Sequence, residues 1–135
     1  MKIFPVLLCV ATYALGYNLN TDPELTKSIA RGKELYKETC IACHMGKGEG
    51  LKGTIPPLAG ADYLIKTPDK AIASIKFGLK GKILVNGIEY NGMMPSPNLA
   101  DDEIADVMNY ILNSWGNVSK KPRVTEKMGQ GVKKP

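Results

Sequence analysis

The sequence predicts an all-α domain of about four helices with one short β-hairpin set into it. Three observations carry that class. Ile104, Val107, Met108, Ile111, Leu112 and Trp115 recur at i, i+3, i+4, i+7, i+8 and i+11, the stripe of an amphipathic helix. Leu25, Ile29, Gly32 and Tyr36 share one helical face at i, i+4, i+7 and i+11. Asn86-Gly87, the dipeptide best suited to a type I′ turn, separates the β-prone runs Ile83-Leu84-Val85 and Ile88-Glu89-Tyr90.

The elements follow in chain order. Residues 1–16 are expected to be a signal peptide. Lys2 gives a positive start, Ile3 to Leu15 an apolar stretch, and Ala14-Leu15-Gly16 resembles a small-residue cleavage site. That stretch is short for a membrane span, and Cys9 within it is removed with the signal. The implied location is periplasmic or otherwise exported, with cleavage near Gly16. A single domain over residues 17–118 should follow.

Asp22 is suited to cap the first helix, with Pro23 at its first position and Glu24 in its first turn. That helix should run to about Cys40. A loop containing Gly46, Gly48, Gly50 and Gly53 leads to Ile55-Pro56-Pro57-Leu58. Thr67-Pro68-Asp69 opens a further helix, with Ile72 and Ile75 inward and Gly78 as its stop. The hairpin comes next. Two strands alone are marginal, so it must lie on something else. The last helix is expected from about Asp101 to Trp115, ended by Gly116. From Ser119 onward the chain is rich in Lys and Gly without periodicity, which predicts a flexible, solvated basic tail over residues 119–135.

Composition sets limits on function. The 135 residues are 44% hydrophobic and 23% charged, as in ordinary soluble domains. Two Phe and one Trp make a thin all-protein core for this length. The net charge of +5 is spread without a long run of one sign, which argues against a nucleic-acid arm. No stretch of the mature chain has the apolar length of a membrane span.

Three Cys and one His are more informative. Cys40-Ile41-Ala42-Cys43-His44 is C-x-x-C-H, the attachment signature of c-type haem. Two thiols one helical turn apart can add to the two vinyl groups on one edge of a porphyrin, and the following His turns its imidazole to the iron. At this composition a chance match is expected about 5 times in 10,000. Zinc would need further Cys or His ligands that the mature chain lacks. A redox dithiol would need a βαβ setting, which is absent. The single His also excludes bis-His ligation within the chain and a second haem attached the same way. The sixth iron ligand is therefore Met, Lys, water or nothing. Met45 adjoins His44, Met108 belongs to the apolar stripe of the last helix, and Met128 is in the tail. Met93 and Met94, in what should be an irregular loop before Pro95, remain.

From about Pro23 to Gly116 the chain resembles class I cytochromes c, and the bacterial monohaem members in particular. Gly32 and Tyr36 look like the small and aromatic residues where the family's first helix crosses its last, and Val107 and Tyr110 are similar to their partners. Pro56 fits the proline whose carbonyl holds the His ring, and Leu58 the leucine that packs on the haem. Met94-Pro95 matches the loop that delivers the axial Met. Ala100 departs from the pattern, because Ser or Thr usually caps the last helix there.

The resemblance implies a cytochrome c fold around one covalent haem c. Cys40 and Cys43 would fix it, His44 and Met94 would bind the iron, Pro56 would orient His44, and Leu58 would pack on the ring. The expected function is single-electron transfer between redox proteins of a respiratory or dehydrogenase chain, with no catalytic residue. The alternatives are a dedicated haem subunit of a periplasmic dehydrogenase or terminal oxidase, and a five-coordinate haem sensor or enzyme. Lys47, Lys52, Lys80 and Lys82 are expected near the haem edge and could steer an acidic partner, whereas Asp101, Asp102, Glu103 and Asp106 gather at the last helix.

Overall fold

Asp22 caps the first helix as its position suggested. Its carboxylate accepts a hydrogen bond from the Glu24 N–H at 3.0 Å, and α1 runs Pro23–Thr39. The computed structural model describes residues 22–134, so the signal peptide expected over residues 1–16, including Cys9, lies outside the described residues. After α1 come a single turn, α2 (Ile41–His44), and two helices joined at Thr67, α3 (Asp62–Lys66) and α4 (Pro68–Phe77). Strands β1 (Leu79–Val85) and β2 (Ile88–Met94) pair antiparallel, followed by α5 (Asp101–Leu112) and α6 (Glu126–Gly131).

Helices α1 and α5 form the central contact. The most buried positions of α1 are Ser28, Gly32 and Tyr36, with Leu25 and Ile29 at the margin of the same face. Gly32 lies against the backbone of Asp106, and a Cβ there would overlap the Asp106 carbonyl. The absent side chain is what lets the helices touch. Around this point Asp106 accepts from Ser28 Oγ at 2.6 Å and from Arg31 Nη2 at 2.8 Å, so its buried carboxylate is fully engaged. Tyr36 extends the contact with its ring 5.4 Å from Tyr110 and 5.0 Å from Trp115.

Helix α5 stops at Leu112, short of the expected Trp115. Trp115 and Gly116 turn to positive φ, and the Asn117 amide donates to the carbonyls of Ile111 and Leu58 at 2.8 and 3.0 Å. The turn lays the Trp115 ring over Gly48, where a Cβ would come within 2.6 Å of it. At the other end Ala100 supplies no capping oxygen, yet the Glu103 carboxylate accepts from the Ala100 N–H at 2.9 Å. Half of a capping box survives the departure.

The hairpin is longer than its β-prone core. Asn86 and Gly87 both adopt positive φ, as a type I′ turn requires, and the ladder continues to Lys80 opposite Met93 and Leu79 opposite Met94. Met93 and Met94 therefore end a strand rather than sit in an irregular loop. The turn is anchored to α3, because Asp62 and Asn86 exchange backbone-to-side-chain hydrogen bonds of 2.7 and 2.9 Å.

The chain beyond Ser119 departs from the expected solvated tail. Val124 is 3% exposed, its N–H donates to Asn109 Oδ1 at 2.8 Å, and its carbonyl accepts from Asn109 Nδ2 at 2.9 Å. The side-chain amide thus pairs with the backbone as a neighbouring strand would. Helix α6 then packs on α4 and α5, with Lys76 Nζ bound to the Gly129 carbonyl at 2.8 Å and to Asp101 at 2.6 Å. Val124, Met128 and Val132 pack on the core, and the Asn109 and Lys76 side chains hold the backbone of a segment that has no hydrophobic period.

Candidate functional site

The C-x-x-C-H residues occupy the corner where α1 gives way to α2. Cys40 closes α1, and the single turn of α2 carries His44 to its end. Met45 stops that turn at φ 65°, and its carbonyl accepts from the Tyr36 hydroxyl at 2.7 Å. The corner is thereby tied to the α1–α5 contact. Cys40 is half-buried and Cys43 exposed, and both are free thiols. Burial pushes the Cys40 thiol above its ordinary pKa, partly offset by the Thr39 hydroxyl.

His44 is buried, with Nδ1 3.1 Å from the Pro56 carbonyl oxygen. A carbonyl only accepts, so Nδ1 carries the proton and Nε2 presents its lone pair. Burial holds the imidazole below its ordinary pKa, against the opposing pull of Pro56, which keeps it neutral. The Gly-rich loop delivers Pro56. Gly50, at φ +62°, passes so close under the Ile55–Pro56 peptide that a Cβ would come within 2.5 Å of the Ile55 oxygen. Gly48 accepts from the N–H groups of Leu58 and Ala59 at 2.7 and 2.9 Å, folding the loop back beneath His44.

Met94 reaches the same region from the end of β2. Gly78, at φ +78°, allows close approach of the Met94 backbone, and Ser96 Oγ donates to the Lys76 carbonyl at 2.9 Å. Met94 is half-buried, whereas Met93 points outward at 75% exposure. The two residues thus differ in burial, although both border the outer cleft.

Between His44 and Met94 lie two adjoining clefts. Both are lined by His44, Pro56, Leu79, Ile83 and Met94. Cys40, Leu58, Leu64, Ile75 and Met108 line the inner one, and Cys43, Thr54, Tyr90 and Met93 the outer one. All six residues singled out in the sequence therefore meet here. Met108, expected as core, is fully buried and also walls the inner cleft. Sequence reasoning did not find the walls supplied by α3, α4 and β1. Through the inward Ile83 and Val85 and the contact of β1 with α3, the hairpin finds the support that two strands need.

The donor set fits a haem. Two unpaired thiols lie at the lip, a neutral imidazole and a thioether bound the space, and the inner walls are apolar. Among the described residues no group of three His, Cys, Asp or Glu could hold a metal by itself. A family model described as Cytochrome c matches residues 29–115.

The chain belongs to the cytochrome c family.

It is 42% identical over 96 residues to cytochrome c-552 of Thermus thermophilus, covering 67% of this chain and 72% of that protein. It is also 31% identical over 109 residues to the gluconate 2-dehydrogenase cytochrome c subunit of Pantoea cypripedii. With the cytochrome c subunit of the quinone alcohol dehydrogenase of Gluconobacter oxydans it shares 28% identity over 123 residues. The matches span 73% and 76% of this chain but only 24% and 23% of those two subunits. As a class I monohaem cytochrome c, the chain is an electron-transfer haem protein.

The charges around the cytochrome c cleft are less polarised than the sequence suggested. Lys82 is paired with Glu89 at 3.0 Å, while Asp101 and Asp106 are taken by Lys76 and Arg31. Lys80 stays at the rim beside Met93 and Met94.

Proposed function

We propose that this cytochrome c carries one haem c, fixed by thioethers formed as the Cys40 and Cys43 thiols add across its vinyl groups. His44 Nε2 and the Met94 sulfur would hold its iron, and Pro56 would orient His44. The single observation that carries this reading is the convergence of the His44 imidazole, locked by Pro56, and Met94 on one apolar cleft with both thiols at its edge. The bound group supplies reversible one-electron chemistry. His44, Met94 and the apolar walls tune its potential and exclude water. With the iron held by two side chains, no position would be left for a substrate, and the protein would act as a carrier rather than an enzyme.

The carrier is exported, with residues 1–16 removed, and passes electrons between larger redox proteins. Among the described residues no helix is long and apolar enough to cross a membrane. A second reading, a haem subunit dedicated to one dehydrogenase, draws support from the relatives that are themselves such subunits. Purification from the exported fraction at high salt separates the two: a carrier elutes alone, and a subunit brings its dehydrogenase with it.

Acid-acetone extraction tests attachment, and the colour is expected to stay with the polypeptide. Colour leaving with the solvent would refute it. Axial ligation is tested by carbon monoxide binding to the reduced protein. Met94→Ala should open the iron and lower the potential sharply, whereas Met93→Ala should leave the spectrum unchanged. The reverse pattern would exchange the two residues.

A further inference from the structure

The described methionines differ sharply in access. Met108 is fully buried, Met94 and Met128 are half-buried, and Met45 is 37% exposed, whereas Met93 is 75% exposed. Met94 lines both clefts, but Met93 lines only the outer one. Met93 stands where β2 meets the Gly-rich loop: a Cβ added at the preceding Gly92 would lie 3.9 Å from the Thr54 carbonyl oxygen. On the loop side Leu51, 52% exposed, bridges to Ile55, which lines the outer cleft with Cys43. The lip of that cleft is therefore apolar on both sides. Lys82 is taken by Glu89, whereas Lys80, opposite Met93 in the hairpin, has no ion pair among the described residues.

A thioether open to water is the first that a dissolved peroxide meets, and its oxidation turns a flexible apolar side chain into a polar one. We propose that Met93 is a redox-sensitive modification site: hydrogen peroxide converts it to the sulfoxide ahead of the other described methionines, and the product makes the lip of the outer cleft polar while Met94 is untouched. In this step the Met93 sulfur attacks one peroxide oxygen, the O–O bond breaks as an S–O bond forms, and the second oxygen leaves as water with both protons. The sulfur gives up two electrons and the peroxide takes them, so no further reactant is needed. The new oxygen is an acceptor that faces water and has the Lys80 ammonium across the strand pair, so the fold accommodates it. What changes is contact. Two proteins that meet at this lip must now strip water from a sulfoxide, where a thioether gave it up freely.

The consequence for electron transfer rests on the haem reading, and the two fail differently: haem lost to acidic acetone ends that reading, whereas this site is tested on protein that keeps its haem. Oxidised holoprotein is treated with a single molar equivalent of hydrogen peroxide, and sulfoxide is located by peptide mass with fragmentation. Met93 should carry about tenfold more than Met45, Met94, Met108 or Met128, and the methionine-to-iron absorption band should persist. Sulfoxide arising first at Met45 or Met94, or loss of that band, would overturn the proposal. Electron self-exchange between oxidised and reduced copies is then followed by nuclear magnetic resonance, at high ionic strength to screen their like charge. The Met93 sulfoxide form should exchange about twofold more slowly than untreated protein, because the lip must be desolvated in each encounter. Met93→Leu has no sulfur at the lip, so the same treatment should leave its exchange rate where it started. A sulfoxide form as fast as untreated protein, or a Met93→Leu protein slowed as much as the parent, would sink the idea.

Discussion

The hydroxyl of Tyr36 joins the haem-binding corner to the helical core through one hydrogen bond to the Met45 carbonyl. The residue is 1% exposed, and burial raises its pKa well above the ordinary 10.0. The buried phenol resists ionising while the unfolded one ionises freely. Its contribution to stability is therefore complete below about pH 10 and is lost as the pH rises beyond it. Tyr36→Phe should cost about 1–2 kcal/mol at pH 8, because the Met45 carbonyl loses its donor. By pH 11 the gap between variant and parent should narrow. Urea midpoints at the two pH values measure this, and a gap that stays constant would remove Tyr36 from the alkaline dependence.

At the scale of elements, the α1–α5 crossing depends on backbone contact at Gly32. In Gly32→Ala the new methyl meets the Asp106 carbonyl rather than a flexible side chain, so the helices must separate. The Ser28 and Arg31 bonds to Asp106 stretch with them. A loss of about 3 kcal/mol or more is expected from such overpacking, read as a lower denaturant midpoint. If the midpoint does not move, the crossing is looser than described. Helices α1, α4 and α5 and the hairpin were legible in the chain because each carries its own signal. Asp22-Pro23 and Thr67-Pro68 mark starts, the Ile104–Leu112 stripe has a clean period, and Asn86-Gly87 dictates its turn. Helices α2, α3 and α6 have 4, 5 and 6 residues, too few to display a period. The cleft was legible in the same uneven way. The C-x-x-C-H spacing and Met94-Pro95 are local, but Tyr63, Leu64 and Ile75 become walls only once α3 and α4 fold against the hairpin. The C-terminal segment was misread for a related reason: its anchors are the Asn109 amide and Lys76, which lie in other helices.

For the whole molecule, that segment is a structural part rather than an appendage. Removing residues 119–135 would expose the core around Val124 and take both Val124 bonds from the Asn109 amide, leaving only its bond to Ser28 Oγ. A cost of about 2–4 kcal/mol is expected, which for a domain of this size lowers the melting temperature by roughly 5–20 °C. Calorimetry of the truncated holoprotein checks this, and an unchanged melting temperature would restore the solvated tail. The segment also reaches back to the start of α1. Asp22, just ahead of α1, pairs with Arg123 at 3.0 Å, just ahead of Val124. Such a half-exposed pair adds little energy. Its consequence is topological: the start of α1 and the stretch ahead of α6 are held side by side, so the chain closes a ring before α6 folds back over α4 and α5. The six residues singled out to grip a porphyrin all lie inside that ring, and α6 acts as its clasp.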